Sequence, residues 1–148
     1  MKGGQIRNTI LLADDDDDDC MLAREALIES SLAAKLHIVN DGEELMDYLY
    51  NRGKYINNLI FPRPRLILLD LNMPKKDGRE ALKDIKSDGK LRQIPVIVLT
   101  TSKAQEDIYN IYSLGANSFI IKPTDFTALV NVMKGIGKYW FDIVELPS

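Results

Sequence analysis

Five polar residues in this chain follow short apolar runs. Asp14 and Asp15 come after Ile10-Leu11-Leu12-Ala13, Asp70 after Leu66-Ile67-Leu68-Leu69, Thr100 after Val96-Ile97-Val98-Leu99, and Lys122 after Ser118-Phe119-Ile120-Ile121. Carboxylates gathered at one place repel one another and are driven toward their neutral forms. A hard divalent cation removes that penalty, and magnesium prefers a few carboxylates, a carbonyl and several waters in an octahedron. With one hydroxyl and one ammonium added, such a cation makes a cradle for a phosphoryl group. Asp70 is then the candidate nucleophile, forming an acyl phosphate, while the metal and Lys122 offset charge on the transferring oxygens.

The elements that must position these groups follow from the same runs. A short continuous apolar run bounded by breakers reads as a strand buried on both faces, as a parallel α/β sheet requires. Strands are predicted at Thr9–Ala13, Leu36–Val39, Leu66–Leu69, Val96–Leu99 and Ser118–Ile121, with Thr100-Thr101-Ser102 ending the fourth. Helices are predicted between them: Cys20–Ser31 on Cys20, Ala23 and Leu27, then a helix from Asn40-Asp41-Gly42 on Leu45, Met46 and Leu49, stopped by Gly53. Asp41 is its predicted N-cap, with Glu44 as capping-box partner. Further helices are predicted at Arg79–Ser87 on Ala81, Leu82 and Ile85, and at Gln105–Leu114 on Ile108, Ile111 and Tyr112. The last starts near Thr124 or Asp125, with a stripe of Phe126, Leu129, Val130, Met133, Ile136 and Trp140 that should dock fully. The segment from Lys54 to Pro64, with apolar Ile56, Leu59, Ile60 and Phe61, is longer than most connections and is expected to cover something. Regular alternation implies right-handed crossovers and a flavodoxin-like (βα)5 three-layer sandwich. Its parallel five-stranded sheet has the order 2-1-3-4-5, and Asp14, Asp15 and Asp70 meet at its switch point.

The 148 residues suit one domain, 1–148, with a core of about 8–138 and an extension over 139–148. Net charge is −3, but Asp14 to Asp19 supply six of 22 acids; without them 19 basic residues face 16 acidic ones. The acidity is local, and no nucleic-acid footprint is present. One cysteine, Cys20, excludes an internal disulfide. The amino terminus (a polar lead over residues 1–7) has no long apolar segment, so neither a signal peptide nor a membrane span is expected, and a reducing cytoplasm is the expected setting. Asp16 to Asp19 read as helix-start charges in water, His37 as a surface or core-edge residue, and Cys20 as a small apolar helix residue. Tyr139, Trp140 and Phe141 read as core or dimer contacts.

An acidic pair, Leu-Asp-x-x-Met-Pro at 69–74 with Asp77-Gly78 behind it, a strand-ending Thr100 and Lys122-Pro123 together resemble a receiver domain of two-component signalling. The resemblance spans about residues 8 to 138. It implies Asp70 as phosphoacceptor, Asp15 as direct magnesium ligand, Asp14 as water-mediated ligand and Asn72 as backbone-carbonyl ligand. Thr100 becomes the switch hydroxyl, Lys122 the phosphoryl contact and Phe119 the rotating switch aromatic. Phe119 lacks a tyrosine hydroxyl, so its switching rests on packing, and Thr101 is larger than many family members carry at that position.

The long loop through Tyr55-Ile56-Asn57-Asn58, Lys75-Lys76-Asp77-Gly78-Arg79-Glu80, and Lys138-Tyr139-Trp140-Phe141 with Leu146-Pro147 narrow the resemblance further. They resemble the single-domain regulators associated with cyanobacterial phytochromes. That implies a sensor histidine kinase as phosphoryl donor, possession of a homodimer, and signalling without a following output domain. Two rivals remain open. One is a phosphorylation-independent binding module of the same fold. The other is a phosphotransferase of the haloacid-dehalogenase type, whose Asp-x-Asp-x-Thr/Val signature is met by Asp14 to Asp18 only through repetition.

Overall fold

Each apolar run becomes a parallel strand in the computed structural model, which describes residues 8–101 and 104–146. The polar lead over residues 1–7, Ser102 and Pro147 lie outside the described residues. Strands β1 (Asn8–Ala13), β2 (Ala34–Val39), β3 (Leu66–Leu69), β4 (Val96–Thr100) and β5 (Ser118–Ile121) pair in the order β2-β1-β3-β4-β5. All pairings are parallel, with Ala13 beside both Val39 and Leu69, and Thr100 beside Ile121. The connections carry α1 (Asp17–Glu29), α2 (Gly42–Leu49), α3 (Gly78–Ser87) and α4 (Gln105–Ser113), and α5 (Phe126–Gly137) follows the last strand. This is the flavodoxin-like three-layer arrangement.

Strand alternation divides the core in two, because successive side chains point to opposite faces. Leu11, Ala13, Ile67, Leu69, Val96 and Val98 pack with Leu45 and Met46 of α2, Leu82 and Ile85 of α3, and Ile111 of α4. Ile10, Leu12, Leu66, Leu68 and Ile97 pack with Ala23, Ala26 and Leu27 of α1 and Val130, Met133 and Ile136 of α5. Each buried aliphatic side chain contributes about 1.5–3 kcal/mol relative to exposure, so both layers are driven chiefly by this burial. No described helix is long and apolar enough to cross a membrane.

Several local expectations are corrected. α1 begins at Asp17, three residues before Cys20, because the Asp16 carboxylate accepts from the Asp19 amide and caps the helix. α2 ends at Leu49 with Asn51 at positive φ, so Gly53 opens a 3₁₀ turn (Gly53–Tyr55) rather than stopping the helix. Asp41 does cap α2 through the Glu44 amide, but Glu44 reaches back to the Asn40 amide; the reciprocal capping box is at α3, between Asp77 and Glu80. On α4 only Ile111 is buried, and Tyr112 is exposed with its hydroxyl accepting from the Phe119 amide. Phe126 also stays exposed. Past α5 the chain widens into a π-helical turn (Lys138–Ile143), which leaves Tyr139 exposed while Trp140 and Phe141 pack against the α1–α5 layer.

The long loop is held by aromatics rather than by its aliphatic residues. Ile56, Leu59 and Ile60 are exposed, whereas Tyr55 is buried and Phe61 packs against the core. Phe61 meets His37, Tyr48 and Tyr55 edge-on, with ring centroids 5.6, 5.8 and 4.9 Å away. Such pairs add about 0.5–1.5 kcal/mol each beyond area burial. Asn51 Nδ2 donates to the carbonyls of Tyr55 and Phe61, and the Tyr48 hydroxyl donates to the Pro62 carbonyl. The Tyr55 hydroxyl donates to Glu44. Burial alone would raise the Glu44 carboxyl, but the Tyr55 hydroxyl, the Asn40 amide and Lys54 outweigh it and hold it below its ordinary value.

His37 sits against this cluster, and burial, followed by Lys35 and Arg24, lowers its pKa. The fold therefore favours neutral imidazole. Its contribution to stability is fully present above the unfolded value of about 6.5 and is lost as pH falls below it through the folded pKa. We expect His37→Phe to flatten that step: the urea midpoint of the wild type should fall from pH 7 to pH 5 by more than that of the variant.

Candidate functional site

The sheet ladder runs one residue past the strands and so sets the site. The Asp14 amide donates to the Val39 carbonyl at 3.0 Å, that of Asp70 to Ala13 at 2.9 Å, and that of Lys122 to Thr100 at 2.8 Å. Asp14, Asp70 and Lys122 continue the alternation of Leu12, Leu68 and Ile120, residues of the α1–α5 layer. Their side chains accordingly meet. Lys122 Nζ donates to Asp14 Oδ2 at 2.8 Å and to Asp70 Oδ2 at 3.2 Å. Thr100 has the other parity, that of Val96 and Val98, and Phe119, paired with Val98, packs half-buried on the same layer.

Burial makes the site electrostatically demanding. Asp14 is 2% exposed, Asp70 7% and Thr100 0%. Burial raises the Asp14 carboxyl, an effect only partly reversed by the Lys122 ammonium and the Asp16 amide. Burial alone would lower Lys122; its bonded carboxylates outweigh that and raise it. The Asp14 carbonyl accepts from Asn40 Nδ2 at 3.1 Å and from the Cys20 thiol at 3.4 Å, which fixes the peptide beside the carboxylate. Burial, reinforced by the Asp14 charge, pushes the Cys20 thiol up to about 12. Thr100 Oγ1 is buried without a hydrogen-bond partner among the described residues. An unsatisfied buried hydroxyl costs on the order of 1–3 kcal/mol.

Asp14, exposed Asp15 and Asp70 each offer a carboxylate oxygen within 4.8 Å of the others. Two buried carboxylates and one exposed one, all hard oxygen donors, suit a divalent cation of the magnesium class, with the open side left to water. The Asn72 amide donates to Asp70 Oδ1 at 3.4 Å, which brings the backbone of residue 72 to the same carboxylate.

Asp19 joins the site as well, although it read as a solvated helix-start charge. Its Oδ2 accepts from Lys122 Nζ at 2.8 Å. It lies one turn before Ala23, on the side of α1 that packs against the sheet, so extending the Cys20–Ala23–Leu27 stripe backward would have found it. Asp16 is spent on the cap, so Asp14-x-Asp16 does not present two carboxylates to one centre, and the haloacid-dehalogenase reading loses its signature.

A family model described as the response regulator receiver domain matches residues 10–134, and the chain belongs to that family. Among its relatives, response regulator Rcp1 of Synechocystis sp. is 42% identical over 139 residues, covering 94% of this chain and 92% of its own length. The crystal structure of the phosphorylated cyanobacterial phytochrome response regulator RcpA superposes with a TM-score of 0.87 at 45% identity, over 95% of this chain and 99% of that one. The Mn(2+)-bound form of Rcp1 superposes with a TM-score of 0.84 at 41% identity, over the same shares.

The loop behind Asp70 tolerates no added bulk. The Gly78 amide donates to the Leu71 carbonyl at 2.9 Å, and a Cβ at Gly78 would collide with the backbone of Asp70 and Leu71. Backbone cannot swing aside as a side-chain end can. Gly78→Ala is expected to cost about 1–3 kcal/mol despite the better helix propensity of alanine, readable as a lower urea midpoint at unchanged slope.

Proposed function

We propose that this receiver accepts a phosphoryl group on Asp70 from the phosphohistidine of a sensor histidine kinase, in a magnesium-dependent reaction in the cytoplasm. The observation that carries this reading is the convergence of a buried carboxylate, a buried unpartnered hydroxyl and an ammonium at the carboxyl ends of β3, β4 and β5. In the transfer, an Asp70 oxygen forms a bond to phosphorus as the phosphorus–nitrogen bond breaks and its electron pair returns to the imidazole. Asp14, Asp15, Asp70 and the Asn72 carbonyl would hold the metal, which when bound neutralises charge on the transferring oxygens. Lys122 and Thr100 supply donors to those oxygens, and their preorganisation offsets charge where it develops. The only chemistry the protein catalyses is phosphorylation of its own aspartate and slow hydrolysis of the acyl phosphate.

The kinase is a phytochrome-like photoreceptor by analogy with RcpA, whose described role is that of a cyanobacterial phytochrome response regulator. The signal leaves through a homodimer or partner on the face formed by α4, β5 and α5, where Tyr109, Tyr112, Ile121 and Phe126 are exposed. Phosphorylation draws Thr100 toward the anion and frees space for Phe119, and only the differential stability of the two conformations sets the size of the shift.

Incubation with acetyl phosphate and magnesium should add one phosphate by intact mass, absent after chelation and absent in Asp70→Asn. A size change read in the same samples identifies dimerisation as output. An Asp70→Asn variant that labels like wild type overturns the assignment.

A further inference from the structure

The Lys122 ammonium has three N–H donors and no acceptor. All are taken: by Asp14 at 2.8 Å, Asp19 at 2.8 Å and Asp70 at 3.2 Å. A phosphoryl group on Asp70 brings further anionic oxygens into competition for those donors, so the bonds of Lys122 must be redistributed. This step rests on the phosphoacceptor reading above.

The three carboxylates differ in what release would cost. The Asp14 side chain is 3% exposed, so water cannot replace the ammonium there, and with no cation in the acidic cleft its loss would leave a buried unpaired charge. Asp70 carries the phosphoryl group itself. The Asp19 side chain is 40% exposed, so water can replace the ammonium there at little cost. Its backbone amide stays tied to Asp16 Oδ1 whatever the side chain does, so α1 need not move. The asymmetry in desolvation selects one partner.

We propose that Asp19 is a positioning residue for Lys122. Before phosphorylation it draws the ammonium toward α1 and so loosens its hold on Asp14 and Asp70. On phosphorylation it surrenders its N–H to a phosphoryl oxygen. Two consequences have opposite sign. Without the Asp19 charge, Lys122 settles fully on Asp14 and Asp70, and magnesium must compete with it for both. Without that charge there is also nothing to hold the ammonium back from a phosphoryl group, and one anionic neighbour fewer to repel it.

The test uses the full chain as wild type, Asp19→Asn, Asp19→Ala and Asp19→Glu. Magnesium alone is titrated calorimetrically, and beryllofluoride is then titrated at saturating magnesium with amide NMR shifts as readout. Asp19→Asn and Asp19→Ala should bind magnesium about fivefold more weakly and beryllofluoride about fivefold more tightly, the range of a partly exposed ion pair. Asp19→Glu should return both constants toward wild type. Damage to the fold would weaken both ligands together, so constants that fall in parallel overturn the proposal. Constants that do not move overturn it too, as does a glutamate variant that restores neither. Wild type that binds no beryllofluoride at any magnesium concentration would instead fail the phosphoacceptor reading itself.

Discussion

One ammonium shared among three carboxylates is the constraint on which the site depends. Asp14 and Asp70 are nearly sealed from water, and two carboxylates side by side there repel one another. Lys122 removes that repulsion, and its own burial is tolerable only because the carboxylates surround it. The arrangement is mutual: the ammonium and the carboxylates around it offset the cost of one another's burial. Under the proposed function, the ammonium bonded to Asp70 is also the one whose donors a phosphoryl group would use, so ligand and resting partners would draw on the same three N–H bonds.

Backbone hydrogen bonding, not side-chain chemistry, puts those groups in reach of one another. The ladder extends past β1, β3 and β5 by one residue each, and Asp14, Asp70 and Lys122 are those residues. Their shared parity sends the three side chains toward α1, while Thr100 and Phe119 belong to the other parity and to the layer of α3 and α4. The site thus straddles the sheet end. In the proposed function, a ligand held from both sides would couple Asp70 on one layer to the hydroxyl and aromatic on the other, a route for phosphorylation to the α4–β5–α5 face.

The opposite edge is built to stay still. The ring cluster of His37, Tyr48, Tyr55 and Phe61 and the two carbonyls held by Asn51 clamp both ends of the long loop onto α2 and β2. Its tip, with Ile56, Leu59 and Ile60, is left exposed on a fixed base. Among the described residues, the exposed aromatics on α4 and α5 have no comparable bracing beyond the bond between Tyr112 and the β5 edge.

Strand positions could be read from the chain because a short apolar run bounded by breakers has few alternatives, and alternation of strand and helix restricts topology to a few parallel arrangements. That pattern alone places Asp14, Asp15, Asp70, Thr100 and Lys122 at strand ends. Nothing in the run of six identical residues singles out Asp19; only the Cys20–Ala23–Leu27 stripe, carried back one turn, points to it. Only the phase of α1 against the sheet decides that Asp16 caps, that Asp19 turns inward to Lys122, and that Asp17 and Asp18 face water. Likewise Tyr55 and Ile56 are adjacent in sequence, and isoleucine is the more apolar, yet the pocket between Tyr48 and Phe61 buries Tyr55 and leaves Ile56 out. Local pattern sets which residues begin and end an element. Which of several equivalent side chains meets a partner depends on how two elements are rotated against each other, and that rotation is fixed by packing between segments far apart in the chain.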